Sequence, residues 1–276
     1  MEIRRAVVFP GQGTAGGDVS GELGDLIRQY AVDGETPYQL SVFARSVDLL
    51  YGLRDSGMEP DVVAGHSLGE YAAAHAAGSL QLEDAVRLVA ERDRLMNEAS
   101  AQRPGGMAAV IGADPKEVAA AAGAIDEEGE GVVVAANFNT PRQTVISGEK
   151  AALDAVASRV GGKMIPLAVA GAFHSPLMLE ASREMDLLLG DVEFRDPEVP
   201  MVAATDGSIL ATAGDVRLAL RNQMLSPVRW VAVVERLLDL GVEEVLEAGE
   251  DGTLTRMLRD FKRKDIKGRT AGQVLA

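Results

Sequence analysis

The run Val62-Val63-Ala64-Gly65-His66-Ser67-Leu68-Gly69-Glu70-Tyr71 decides how the rest of the chain is read. Three apolar residues make a short strand, and a helical run opens at its end. A serine with a glycine two residues away on each side, at a strand-to-helix junction, is the nucleophile-elbow pattern. Such a turn is too tight for side chains at the glycine positions. It holds the serine hydroxyl at a helix N-terminus, where oriented N–H groups favour a developing oxyanion. The reading predicts an acyl-serine. In a chain with 30 glycines the pattern can also arise as an ordinary turn, so it needs support from elsewhere.

Outward from the elbow, strand-like runs occur at Ala6–Phe9, Pro200–Thr205 and Glu243–Ala248, with helical runs between them. The alternation predicts an α/β domain with a largely parallel sheet. One stretch breaks the rhythm. After Pro104-Gly105-Gly106 come a strand (Met107–Ile111), an alanine-rich helix (Pro115–Ala124) and two strands (Val132–Asn137 and Gln143–Ser147) separated by Asn139-Thr140-Pro141-Arg142. A helix (Lys150–Val160) and a strand (Lys163–Val169) complete βαββαβ, the ferredoxin-like order. Residues 104–169 are therefore expected as a small subdomain inserted into a large one made of 1–103 and 170–276. There are no repeats and no low-complexity linker.

Phe9-Pro10-Gly11-Gln12-Gly13 follows the first strand, and its glycines let backbone approach a ligand closely. The Gln12 N–H can then point at an oxyanion beside Ser67, with the Leu68 N–H as second donor. Gly11, Gly13 and Gly16 also match a dinucleotide fingerprint, which needs a helix opening at the glycines. Here the best helix, with Leu23, Leu26, Ile27 and Tyr30 on one face, starts near Ser20 or Gly21, so dinucleotide binding is disfavoured.

Across Leu82–Ala99, Ala85, Leu88, Val89, Leu95, Met96 and Ala99 share one helical face. Glu83, Arg87, Glu91, Arg94 and Glu98 lie opposite, with Arg87–Glu91 and Arg94–Glu98 as expected i,i+4 pairs. Arg92 falls on the apolar face between Leu88 and Leu95. A buried guanidinium needs an anionic partner. Either an internal Asp or Glu supplies it, or a substrate carboxylate does, held bidentately.

The chain holds three histidines. His66 lies inside the elbow with its side chain directed away from that of Ser67. His75 lies on the following helix, where a packed or half-exposed role is expected. His174 lies in the irregular Gly171-Ala172-Phe173-His174-Ser175-Pro176, where the chain re-enters the large subdomain. Loops at such junctions carry function, and elimination makes His174 the candidate base for Ser67; the alternative is a structural histidine. Three scattered histidines predict no metal site.

Bulk composition fits a globular protein. The 276 residues are 47% hydrophobic but only 4% aromatic, so aliphatic side chains must build the core. The absence of cysteine excludes disulfides and a cysteine nucleophile. The N-terminal apolar run is too short for a signal peptide and no stretch is long enough to span a membrane, so a cytoplasmic protein is expected. A net charge of −15 argues against a nucleic-acid binder. The basic cluster Arg259, Lys262, Arg263, Lys264, Lys267 and Arg269 reads as a solvated tail or as a docking site for an acidic partner.

Together these residues resemble the malonyl-CoA:acyl carrier protein transacylase family, including the acyltransferase units of polyketide synthases. The likeness rests on Phe9–Gly13, on Gly65–Tyr71, on Arg92 and on Asn137-Phe138-Asn139-Thr140-Pro141 with Val145-Ile146-Ser147-Gly148. Phe173-His174 and the segment from Gln223 through Ser226-Pro227-Val228-Arg229-Trp230 complete it. The resemblance implies an α/β-hydrolase-like large subdomain carrying the ferredoxin-like insert. It implies a Ser67–His174 dyad, the His174 ring being oriented by the backbone carbonyl of Gln223. It also implies oxyanion donors from Gln12 and Leu68, and Arg92 as receptor for the substrate carboxylate. This chain departs from the pattern in a shortened segment before the elbow, in Thr36-Pro37 for a usual Gln-Pro, in Ala15 for a usual Gln and in Gly249-Glu250-Asp251-Gly252 for a usual Gly-Pro-Gly.

The expected reaction is ping-pong transfer of malonyl from malonyl-CoA, a substrate and not a cofactor, to the phosphopantetheine thiol of an acyl carrier protein. A monomer without cofactor is expected. Arg92 would select a free carboxylate over acetyl, and Phe173 would crowd an α-methyl branch. Fatty-acid synthesis, a polyketide assembly line supplied in trans and a malonate decarboxylase complex all use such a transferase. A serine thioesterase or esterase, and a catalytically silent docking subunit, are the rival readings.

Overall fold

Short, fully apolar runs form strands covered on both faces, and the longer amphipathic runs form the helices that cover them. The computed structural model describes residues 3–276. The chain runs β1 (Arg5–Phe9), α1 (Gly21–Arg28), α2 (Tyr38–Asp55), β2 (Val62–Gly65), α3 (Gly69–Ala76) and α4 (Leu82–Gln102). It then enters β3 (Gly106–Ile111), α5 (Pro115–Glu127), β4 (Val133–Thr140), β5 (Gln143–Gly148), α6 (Lys150–Arg159) and β6 (Lys163–Pro166). It returns through α7 (Leu179–Gly190), β7 (Met201–Val202), β8 (Ile209–Leu210), α8 (Ala213–Asn222), α9 (Trp230–Asp239), β9 (Glu244–Glu247), α10 (Thr253–Met257), β10 (Lys267–Thr270) and α11 (Ala271–Leu275).

Six strands form one sheet in the order β10-β9-β1-β2-β7-β8. Its neighbours are parallel except the β7–β8 pair at one edge. Every residue of β2, and all of β1 after Arg5, is buried. Val7, Phe9 and Val63 face the core shared with α2, α3 and α4, while Ala6, Val8 and Val62 face Trp230, Val233 and Leu237 of α9. This is the α/β architecture expected from the alternation of elements.

The second sheet, in the order β4-β5-β3-β6, is antiparallel throughout. That is the ferredoxin-like arrangement, with α5 and α6 on one face. Period-two alternation divides its residues. Ala108, Val110, Val133 and Ile146 pack under those helices with Val118, Ile125 and Val156. Met107, Ala109 and Val145 point the other way, toward the large sheet. The two layers are joined where Phe138 N–H donates to the Val228 carbonyl and Val228 N–H donates to the Ala136 carbonyl, each at 2.8 Å.

The structure differs from the sequence reading at several boundaries. Of Pro200–Thr205 only Met201–Val202 is strand. The Ala203 N–H donates to the Ser208 carbonyl and closes the hairpin to β8, while the Ala204 N–H goes to the Glu70 carboxylate, so the chain turns back at once. β4 continues through Thr140 with register shifts, leaving Pro141-Arg142 as the hairpin connection. β6 is assigned only through Pro166, although the Leu167 N–H still donates to the Met107 carbonyl at 2.9 Å. Arg87 pairs with Asp84 and not Glu91, which goes to Arg94 with Glu98. The basic C-terminal segment is no loose tail: it contains the edge strand β10, where Arg269 pairs with Glu244.

Candidate active site

The site is built at the carboxyl ends of β1 and β2, where ligands gather in parallel α/β sheets. The elbow glycines are sterically required. A Cβ on Gly65 would stand 2.1 Å from the Gly69 carbonyl carbon, and one on Gly69 would stand 2.1 Å from the Phe9 carbonyl oxygen. The absence of both side chains lets α3 close onto β1 and drives Ser67 into the left-handed region at φ 53°. His174, at φ 57°, is likewise left-handed. Non-glycine residues in such conformations are held there by their surroundings at a cost of order 1–3 kcal/mol each.

These two side chains meet. The Ser67 hydroxyl donates to His174 Nε2 at 2.8 Å. On the other side of the ring, Nδ1 donates to the carbonyls of Gln223 at 2.8 Å and Ser226 at 3.1 Å. Two acceptors at Nδ1 fix the proton there and leave the Nε2 lone pair facing the serine. Burial, then the nearby charge of Arg92, pushes the His174 imidazole down to about 4, so the ring is neutral near pH 7.

Arg92 is 0% exposed. Its Nη2 donates to Ser67 Oγ at 3.1 Å and to Gln223 Oε1 at 3.1 Å, and its Nη1 donates to Gln39 Oε1. The guanidinium lies 5.9 Å from the centre of the Tyr71 ring. Among the described residues no carboxylate forms an ion pair with Arg92. Its oxygen partners are neutral, and its charge is answered without contact by Asp93 and by Glu70, the latter relayed through Gln223.

Gln223 therefore does more than the resemblance implied. Besides its backbone carbonyl on His174, its Nε2 donates to Glu70 Oε2 at 2.8 Å and to the Ser67 carbonyl at 3.3 Å. Gln39, Glu70 and the Gln223 side chain are functional candidates that the sequence reading missed. Glu70 carried a signal equivalent to that of Arg92, being a lone charge in an apolar helical run. Gln39 carried none.

Leu68 sits at the N-terminus of α3. Neither its N–H nor that of Gln12 donates to an acceptor among the described residues. Both residues border the elbow, and Gln12, Ser67, His174 and Phe173 line one cavity of about 460 Å³. Met107, Ala109 and Val145 of the small sheet form its opposite wall. The His66 side chain turns from Ser67 to Asn139 Oδ1, 2.9 Å away, with its ring centre 5.5 Å from that of Trp230. His75 bonds Tyr51 and the Leu80 carbonyl, remote from the cavity. No cluster of three or more His, Asp or Glu side chains suited to a metal occurs among the described residues. Among the described residues no helix is long and apolar enough to cross a membrane.

Comparison with known proteins identifies the family and the fold. Residues 22–272 match the acyl transferase domain family. The malonyl CoA-acyl carrier protein transacylase of Bacillus subtilis (strain 168) is 35% identical over 230 residues, covering 82% of this chain and 72% of that protein. The crystal structure of the Synechocystis sp. PCC 6803 malonyl-CoA:ACP transacylase matches with a TM-score of 0.86 at 30% identity, over 97% of each chain. A malonyl-transacylase solved with its type II PKS acyl-carrier protein matches at 0.83 and 30% identity, over 97% of this chain and 95% of that one.

Proposed function

The chain belongs to the acyl transferase domain family and is an enzyme of malonyl transfer from malonyl-CoA to an acyl carrier protein; we propose that it works through an ester on Ser67. The observation that carries the reading is the placement of one oxygen. Ser67 Oγ lies 2.8 Å from a neutral imidazole and 3.1 Å from a buried guanidinium without a carboxylate partner. A nucleophile, its base and a receptor for an anionic acyl group converge on a single atom.

His174 Nε2 takes the Ser67 proton as Oγ attacks the thioester carbonyl. The N–H groups of Gln12 and Leu68 receive the resulting oxyanion, an interaction worth about 3–4 kcal/mol per donor in comparable sites. The tetrahedral centre collapses, the C–S bond breaks, and the CoA sulfur leaves with the proton held by His174. The malonyl ester waits with its carboxylate on Arg92, which exchanges the Gln39 and Gln223 amide oxygens for a charged partner. The phosphopantetheine thiol of the carrier gives its proton to His174, attacks the ester, and leaves as malonyl thioester while Ser67 recovers its proton. Nucleophile, base, oxyanion donors and carboxylate receptor all come from one chain, so a monomer suffices.

Intact-protein mass spectrometry after exposure to malonyl-CoA tests this. The expected result is one malonyl group on Ser67, discharged on addition of carrier protein bearing its phosphopantetheine arm. Release of free malonate at full rate without the carrier would make the protein a hydrolase. Absence of any ester on folded protein would leave a docking subunit.

A further inference from the structure

The residues that follow β1 lie in no regular element until α1, yet the proposed Gln12 donor must be held closely enough to meet an oxyanion. Their support comes from the side. The Gly13 N–H donates to Tyr38 Oη at 2.9 Å, and the same hydroxyl donates to the Thr14 carbonyl at 3.0 Å. The Ala15 N–H donates to Asp251 Oδ2 at 2.8 Å. Gly16 and Gly17 then press on α2. A Cβ would stand 2.2 Å from Ser41 Oγ at the first and 3.1 Å from Arg45 Cδ at the second. Arg45 in turn pairs with Glu250, the neighbour of Asp251. Three consecutive residues are thus tied by two side chains, one from the first position of α2 and one from the loop before α10. Gln12, next in line toward the serine, keeps its N–H unengaged.

We propose that Tyr38 and Asp251 are positioning residues that brace the Gly11–Ala15 loop and so aim the Gln12 N–H at the oxyanion formed on Ser67. The inference rests on the acyl-serine reading above. It gives work to both acidic residues of Gly249-Glu250-Asp251-Gly252, a departure from the family pattern. It also explains a half-exposed tyrosine whose hydroxyl is spent entirely on backbone. Neither side chain lines the cavity, so the effect should fall on the rate of acylation and not on donor binding.

The test uses the full chain and its Tyr38→Phe, Asp251→Ala and Asp251→Asn variants, each checked for unchanged thermal unfolding. Pre-steady-state acylation of Ser67 is measured with malonyl-CoA and, separately, with p-nitrophenyl acetate, an activated ester that needs no carboxylate receptor. Tyr38→Phe and Asp251→Ala should each slow acylation by both donors about 5–10-fold, part of what a whole oxyanion donor contributes, with KM within about twofold. Asp251→Asn keeps an oxygen for the Ala15 N–H and should return the rate to within about twofold of the parent. Unchanged rates in both damaged variants, a loss confined to KM, or an asparagine variant as slow as the alanine one would overturn the brace. If the parent reacts with the ester and not with malonyl-CoA, the donor assignment fails while the brace is still decided on the ester. A parent inert to both sinks the brace with the acyl-serine.

Discussion

The Gln223 side-chain nitrogen donates to Glu70 Oε2 at 2.8 Å, and that bond settles which way the amide faces. With its nitrogen on a carboxylate, the amide must turn its oxygen to Arg92, 3.1 Å away. Glu70 is itself fixed by the Ala204 N–H at 2.9 Å. One wholly buried carboxylate thus orients a residue that touches both the arginine and, through its main chain, the His174 imidazole. The side-chain and backbone duties of Gln223 are separable. Gln223→Ala keeps the carbonyl that bonds His174 and loses only the amide. Acylation by p-nitrophenyl acetate should stay within about threefold of the parent, while KM for malonyl-CoA shifts about tenfold, the worth of one hydrogen bond to a charge at ~1.5 kcal/mol. Steady-state kinetics on the two donors checks it; equal losses on both would mean that the amide supports the histidine and not the arginine.

Replacing Arg92 tests the carboxylate receptor directly. A malonyl carboxylate held by two charge-assisted hydrogen bonds at about 1.5 kcal/mol each makes Arg92→Ala about 100-fold or more worse with malonyl-CoA. Acetyl-CoA, which has no carboxylate to present, should lose much less. The comparison is read as a ratio of kcat/KM values, so a general loss of folded protein cancels. Parallel losses on both donors would remove Arg92 from substrate recognition.

The buried groups give the reaction a pH dependence. His174, pushed down to about 4, is already neutral above pH 5 and sets no limb near neutrality. Glu70 does. Burial pushes its carboxyl up to about 7, against bonds from Ala204 and Gln223 that favour the ionised form. As pH falls through 7 it gains a proton, and Gln223 loses its charged acceptor. Malonyl acylation should therefore rise between pH 6 and 8 with a midpoint near 7, and the limb should vanish in Glu70→Gln. Stability moves in two windows. Glu70 has a folded-state value above its usual 4.5, so its contribution is full below that and is lost as pH rises through about 7. His174 has one below its usual 6.5, so its contribution is full above that and is lost as pH falls toward 4. Thermal unfolding across pH 4–8 and a single-turnover pH profile check both; a limb that survives Glu70→Gln belongs to another group.

The division of the chain into a parallel sheet and an antiparallel one was legible because local pattern reports it. Continuous apolar runs mark β1 and β2, and the βαββαβ order marks the second sheet. Ser67 and Arg92 were legible for another reason: each is a chemical anomaly in its neighbourhood, a serine between glycines and a cation on an apolar face. Gln39 and the side chain of Gln223 were not, because an amide at a helix start or end is an ordinary surface residue until the fold folds it inward. The brevity of β7 was equally hidden. The chain turns back at Ala203 and Glu70 captures the Ala204 N–H, a contact between residues 134 positions apart. Periodicity cannot report a partner at that range.

The elbow glycines make the last prediction, which separates steric need from conformational strain. A methyl on Gly69 would meet the Phe9 carbonyl oxygen at 2.1 Å, and neither α3 nor β1 can yield without opening the elbow. Gly69→Ala should cost at least the upper end of the ~1–3 kcal/mol seen for overpacked cores. Gly13 offers the contrast. Nothing lies within 4 Å of its missing Cβ, but its φ of 90° is unsuited to other residues. Gly13→Ala should therefore cost only about 1–2 kcal/mol, the strain of a left-handed L-residue. Denaturant unfolding of the two variants measures the difference. If Gly69→Ala were the milder of the two, close packing of α3 on β1 would not be what holds the nucleophile in place.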